Sequence, residues 1–242
     1  MSQRSSYRAE EVASLTLSAV KTIRTDILTG TLEPSERLKI EDLRNRYQIG
    51  ASPIREALSQ LCADGLVVRL NQRGFRVAPV SLEEFDDLIE CRCRLEELAL
   101  RDSIAAGDEA WEERVVLAFH RLSRVSRSAD PMHFVRNPTW EILHKDFHTA
   151  LLEGGGSRHL KRFCDQLYDQ AMRYRAVADI SAYPRRDIHG EHQQIMEATI
   201  ARQPDEAVAA LHSHYRETGK YLGEVLTERR GWTRKLSAAE MA

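Results

Sequence analysis

The chain has 242 residues, which sets a ceiling of about two domains. Hydrophobic residues make up 42% and charged residues 30%, with only 12 Gly and 7 Pro, which excludes collagen-like, low-complexity and wholly disordered chains. The net charge of −2 divides into +3 for residues 1–80 and −5 for residues 81–242, so a mildly basic head precedes an acidic body.

In chain order, residues 1–13 are polar and are expected to be flexible. Apolar residues at 17, 20, 23 and 27 have helical spacing, and Gly30 ends that helix. A short second helix is predicted over Ile40 to Tyr47. Ser52 is placed to cap a third helix, with Pro53 at its first position and Gly65 beyond its end. Two β-type runs, Leu66–Leu70 and Phe75–Val80, flank the tight turn Asn71-Gln72-Arg73-Gly74. Ser81-Leu82-Glu83-Glu84 then fits a capping box that opens a long helix. Beyond it only helical periodicity is found, over 81–106, 108–128, 138–154, 157–179, 186–203 and 205–229. The breakers between these helices are Gly107, Pro131, Gly154-Gly155-Gly156, Pro184 and Pro204. The expected division is a flexible 1–13, a DNA-binding domain at 14–80, an all-helical domain at 81–228 and a tail at 229–242.

No stretch approaches the ~20 apolar residues of a membrane span. The first ten residues have no apolar core of a secretory signal, so the expected compartment is the cytoplasm, with no membrane partner. The four cysteines, Cys62, Cys91, Cys93 and Cys164, form no C-x-x-C pair, which argues for small core residues over a zinc ribbon.

The third helix separates two faces. Ile54, Ala57, Leu58 and Leu61 form the apolar stripe; Ser52, Arg55 and Ser59 share another face at spacings of three and four. Arg and Ser suit phosphates and base edges in a major groove. Alone, this face reads as ordinary solvated surface. Three helices followed by a hairpin, however, make a winged helix-turn-helix. Arg73 and Gly74 then sit at the tip of the wing, one supplying charge and the other close backbone approach.

The strings I-L-T-G-T-L-E-P-S-E-R-L, S-P-I-R-E-A-L-S-Q-L, D-G-L-V and N-Q-R-G-F-R-V resemble the GntR family of bacterial transcription regulators. The resemblance implies an operator-binding domain at 14–80, with Arg55 on the recognition helix and Gly74 on the wing against DNA. Where that family often has Ser-Arg-Thr before the Pro, this chain has Gly50-Ala51-Ser52, so Ala51 cannot supply the usual base-contacting Arg.

In the body, His144 and His148 stand four apart, close enough around a helix to face one metal ion. Two His do not complete a site. His189 and His192 follow on one helix and His212 and His214 on the last; 212 and 214 project to nearly opposite sides, so at most one joins a buried site. Read by spacing alone, these are ordinary surface or hydrogen-bonded histidines. The body also resembles the all-helical FCD type of GntR effector domain, through R-C-R-L-E at 92–96, F-H at 147–148, E-H at 191–192 and A-L-H-S-H-Y at 210–215. That resemblance implies a divalent metal held by His148, His192 and His214, with His144 where the family usually has Asp. Four imidazoles favour Zn²⁺, Ni²⁺ or Cu²⁺ over Mg²⁺ or Ca²⁺.

Arg92 falls on the apolar stripe of its helix with Phe85, Leu88, Leu95 and Ala99, and a buried guanidinium needs a partner. Glu96 at i+4 and an anionic effector are both eligible. Arg175 lies similarly, among Cys164, Tyr168, Ala171 and Ala178, and is a second candidate. The run H-x-x-F-H-T-A followed by G-x-G-S and a helix with R-Y-R is similar to the carbon-starvation-induced regulator branch of the subfamily, which implies a small dicarboxylate such as glutarate.

The expectation is a mainly α protein and a ligand-responsive regulator, with operator DNA, a small carboxylate and a second copy of itself as partners. A homodimer follows because one recognition helix reads too few base pairs. The rival is a helical-bundle metalloenzyme with a nucleic-acid-binding head. Glu141-x-x-His144 is one E-x-x-H pair, but di-iron chemistry needs a second such pair, and there is none. H-E-x-x-H, G-x-S-x-G and P-loop motifs are also missing from the sequence.

Overall fold

A computed structural model describes residues 2–71, 73–178 and 186–228, with side chains described from residue 13 to 223 apart from 72 and 177–185. The predicted turn residue Gln72, the breaker Pro184 and the tail 229–242 lie outside the described residues. The chain divides into two compact units: residues 1–82 with Met172–Val177 in the first, and Glu83–Ala171 with Ala178–Glu228 in the second.

The first unit contains α1 (Ser2–Leu28), β1 (Arg37–Leu38), α2 (Ile40–Tyr47), α3 (Ala51–Ala63), β2 (Val67–Leu70) and β3 (Gly74–Val77). The strands form an antiparallel sheet in the order β1-β3-β2. Its core joins Ala19, Ile23 and Ile27 of α1 to Leu43, Ile54, Leu58 and Leu61 of the next two helices, and to Phe75 and Val77 of the sheet. Burial of such side chains contributes about 1.5–3 kcal/mol each.

Four details differ from the sequence reading. The first helix starts at Ser2, because Gln, Arg, Glu and Ala dominate residues 3–11 with no Gly or Pro to stop it. Leu17 is 66% exposed, and the buried stripe runs instead through Ala19, Ile23 and Ile27. The cap of α3 is Gly50 in extended conformation, not Ser52, so Pro53 sits at the third helical position. Its missing N–H still falls among the amides that no intrahelical carbonyl reaches. β1 is too short to leave a periodic signal.

The second unit is helical: α4 (Leu82–Ala106, its first residue in the other unit), α5 (Glu109–Ser123), α6 (Pro138–Leu151), α7 (Arg158–Ala178, its 172–177 stretch in the other unit), α8 (Ile188–Ile200) and α9 (Pro204–Glu228). Side-chain caps set two starts: Asp108 Oδ1 accepts from the Trp111 amide at 2.8 Å, and Asn137 Oδ1 from the Thr139 amide at 3.1 Å. Trp111 is fully buried, and its indole N–H donates to Ala150 O at 2.8 Å. The loop breakers Gly107 and Gly154 lie against that indole. A Cβ on Gly107 would meet the ring at 2.1 Å, and one on Gly154 would lie 2.8 Å from it. These glycines let two loops close over the tryptophan. Cys93 and Cys164 are buried, Cys62 and Cys91 half-buried, and all four are free thiols.

Candidate functional site

The first unit presents the α3 face. Ser52, Arg55 and Ser59 are all exposed, while Ile54, Ala57 and Leu58 on the opposite side are fully buried. Ser59 Oγ donates to Arg55 O at 3.0 Å, which leaves its lone pairs facing outward. At the hairpin, Arg73 is exposed and its amide donates to Leu70 O at 3.1 Å. Gly74 has φ +94°, and nothing lies within 4 Å of the place a Cβ would take. The backbone conformation, not crowding, requires glycine there, and it leaves a bare peptide on the tip.

In the second unit, His144 and His148 from α6, His192 from α8 and His214 from α9 are all buried, and each offers a ligand atom within 4.8 Å of the others. The Nε2 atoms of His144 and His148 are 3.2 Å apart. The rings are turned by partners on their other nitrogens. His144 Nδ1 is 2.8 Å from Tyr168 Oη, His148 Nδ1 3.2 Å from Tyr215 Oη, and His214 Nδ1 2.7 Å from Glu191 Oε2. The single proton of Tyr215 goes to Glu96, so His148 Nδ1 must donate to the phenol oxygen. Its Nε2 then carries the lone pair. At His214 the carboxylate accepts from Nδ1–H, with the same result. Lone pairs aimed inward and N–H groups held outward are what metal-binding imidazoles require. The cluster could hold a metal ion, and an all-nitrogen donor set suits Zn²⁺ or Ni²⁺. Spacing pointed to His144 and His148, and the resemblance to the FCD domain added His192 and His214; of the outward partners, Glu191 and Tyr215 stood in the strings that carry that resemblance, and Tyr168 did not.

Glu191 is itself held by Arg186, whose guanidinium also donates to His214 O at 2.7 Å and Thr218 Oγ1 at 2.8 Å. Trp140 stacks on His144 with ring centroids 4.6 Å apart. His212 turns away to Cys93 O at 2.9 Å, leaving His214 alone of that pair in the cluster. His189 is exposed.

Two cavities open onto the histidines. One is lined by Glu96, His148, Glu153, Lys161, Cys164 and Tyr168. The other is lined by Arg127, Trp140, Arg186, His189 and His192 among others. Arg92 is buried, and its Nε donates to Glu96 Oε1 at 2.8 Å. Its guanidinium carbon lies 4.1 Å from the Tyr215 ring centroid. Burial, the largest influence, opposes the charge on Arg92, but Glu96, Tyr215 and Tyr168 together outweigh it and raise the pKa above the ordinary arginine value. Burial and then Glu96 raise the Tyr215 phenol well above its ordinary range. The eligible partner from the same helix, Glu96, is therefore the one the fold uses. Arg92 Nη2 remains buried without a hydrogen bond among the described residues. Arg175 is buried on α7 with its guanidinium 3.5 Å from Met172 Sδ, in a stretch grouped with the first unit, and it lines neither cavity.

Residues 15–77 match the model of the gntR family of bacterial regulatory proteins, and residues 87–217 match the FCD domain. The HTH-type transcriptional regulator BphR of Paraburkholderia xenovorans is 40% identical over 84% of this chain and 83% of its own length. The HTH-type transcriptional repressor GlaR of Escherichia coli is 34% identical over 82% of this chain and 91% of its own. Among solved structures, E. coli McbR/YncC superposes with a TM-score of 0.72 at 17% identity, covering 87% of this chain and 97% of that one. A regulator from Rhodococcus sp. RHA1 gives 0.69 at 22%, covering 86% and 97%. These two establish likeness of fold.

Proposed function

The chain belongs to the gntR family of bacterial regulatory proteins and carries an FCD domain, and on that premise we propose that it is a metal-dependent, ligand-responsive repressor rather than an enzyme. Two copies would present two α3 helices to a palindromic operator, with Ser52, Arg55 and Ser59 facing the groove and Arg73 and Gly74 of each wing alongside. With no helix among the described residues long and apolar enough to cross a membrane, the proposed compartment is the cytoplasm.

The observation that carries the ligand-responsive part is the buried histidine cluster, open to a cleft at His148 and with lone pairs aimed inward. His144, His148, His192 and His214 would hold Zn²⁺, or Ni²⁺. Bound there, the ion supplies a Lewis-acidic point for a carboxylate oxygen. Arg92 would receive the same carboxylate through Nη2, its charge kept in place by Glu96. A small dicarboxylate such as glutarate is the effector proposed. The similarity to GlaR, whose name is that of a repressor, supports release from DNA as the response. A coupling of about 1–3 kcal/mol between effector and DNA sites would change operator affinity about 5–150-fold.

The test is a fluorescence-anisotropy titration of the upstream region of the chain's own gene at fixed salt, with and without C4–C6 mono- and dicarboxylates. Selective binding weakened by one acid, and restored when the metal is chelated, is the expected outcome. Selective binding that no acid alters would refute the pocket assignment, and no selective binding would refute the regulator reading.

A further inference from the structure

The cleft at His148 has two ends of different character. His148, Glu96 and Tyr168, all buried, form its floor, and Glu153, Lys161 and Asp165 form its rim. Helix α7 supplies Lys161, Cys164, Asp165 and Tyr168, at spacings of three, four and seven from the first. One face of that helix therefore runs from rim to floor. At the helical rise per residue, the Cα atoms of Lys161 and Tyr168 are about 10 Å apart along the axis. Between the two ends the walls are Leu152 and Cys164, both buried. Burial and then Glu96 push the Cys164 thiol up to about 12, so this wall is uncharged at neutral pH.

The charges around the cleft are not evenly matched. Glu96 at the floor is held by Arg92 at 2.8 Å, and Asp165 at the rim by Lys145 at 2.8 Å. Two charges are left over at the rim. Neither the Lys161 ammonium nor the Glu153 carboxylate forms an ion pair among the described residues, with each other or with any other group. Glu153 is exposed, whereas Lys161 is half-buried. Water and salt screen an exposed charge more than a partly buried one, so the cation sets the sign of the field at the rim. A ligand that fills this cleft meets a site for an anion at the floor, an apolar stretch, and an unmatched ammonium at the far end.

We infer that Lys161 is the residue that reads the far end of the effector, accepting a second carboxylate at the rim across a short methylene chain packed on Leu152 and Cys164. This rests on the effector reading above, in which the first carboxylate goes to the histidine end. Glu153, on the same rim, works against the second carboxylate and weakens the grip of Lys161. An ammonium on a flexible stem selects for charge more than for exact geometry, unlike the fixed fork of an arginine.

The experiment titrates the full chain, as isolated, by calorimetry with three straight C5 acids that differ only at the far end. Glutarate is anionic there, pentanoate neutral and δ-aminopentanoate cationic. The wild type should bind glutarate about tenfold or more tightly than pentanoate, as a hydrogen bond to a charged group implies. It should bind δ-aminopentanoate weakest. K161M should bring glutarate level with pentanoate and leave pentanoate within about twofold of its wild-type affinity. K161R, which keeps the charge, should keep the preference for glutarate. E153Q should tighten glutarate about twofold, the size expected of an exposed charge. Equal binding of glutarate and pentanoate by the wild type would overturn the role of Lys161. So would a K161M protein that keeps the wild-type preference, or one that loses all three acids alike while K161R does too. A wild type that binds δ-aminopentanoate best would give the far end to Glu153 instead. A wild type that binds none of the three would refute the C5 carboxylate reading itself, and the role of Lys161 with it.

Discussion

Replacing Glu96 by Gln removes one charge and leaves the shape of the side chain. Arg92 is 6% exposed and Glu96 2%, and their bond of 2.8 Å joins two almost wholly buried groups. The amide still accepts a hydrogen bond, but the guanidinium then keeps its charge without a counter-charge. Breaking a buried pair in this way costs about 3–5 kcal/mol. The Tyr215 hydroxyl, which donates to the same carboxylate, loses a charge-assisted bond as well. For a domain of this size about 1 kcal/mol corresponds to roughly 2–4 °C, so E96Q should melt roughly 6–20 °C below wild type. R92M alone leaves the carboxylate buried against Tyr215 and should cost a similar amount. The double variant R92M/E96Q leaves no charge at this pair, and it should be less destabilised than the sum of the singles by at least about 1.5 kcal/mol. The assay is thermal and urea denaturation followed by circular dichroism on all four proteins. Strict additivity would refute the reasoning, since it would mean that the two side chains do not depend on each other in the fold.

Three other outcomes follow from the same geometry. Y215F removes the hydroxyl that orients His148, so zinc affinity, measured by competition with a chelator, should fall about 10–100-fold. Burial and then Glu96 push the Cys164 thiol up to about 12, so at pH 8 only about one molecule in ten thousand carries the thiolate; iodoacetamide followed by mass spectrometry should leave Cys164 unmodified until denaturant is added. G154A would put a Cβ 2.5 Å from Ser103 O and 2.8 Å from the Trp111 ring, an overpacking that should cost about 1–3 kcal/mol in denaturant unfolding. A G154A protein as stable as wild type would show that these loops yield more than the close approach implies.

Much of this fold was open to a reader of the sequence, and the reasons are local. Periodicity marks a helix wherever one side faces a core, which is why the helices from α4 to α9 could be placed. The boundaries failed where two signals compete. Ser52 is a good cap, but Gly50 two residues earlier takes the extended conformation that the cap position needs. Residues 3–11 look like a loose polar end, yet they are good helix formers, and α1 extends through them. Among the site residues, His144 and His148 stood out by their spacing of four, and His192 and His214 through the resemblance to the FCD domain. Tyr168, Tyr215 and Arg186 did not, because each reaches the cluster through a pairing across helices that no periodicity records. Arg92 was visible as a charge on an apolar stripe, and the sequence left its partner open between Glu96 and an anion. β1 was missed, since two residues have no period.

The stacking of Trp140 on His144 has an optical consequence. The indole lies flat against an imidazole at 4.6 Å, so any ion that the four histidines take up sits beside a fluorophore. An open-shell ion such as Ni²⁺ or Cu²⁺ quenches indole emission at that range, whereas closed-shell Zn²⁺ does not. The protein therefore carries its own reporter: of its three tryptophans, Trp140 is stacked on a histidine of the cluster, and a loss of its emission on loading would tell an open-shell ion from zinc, without a label and before any DNA is added.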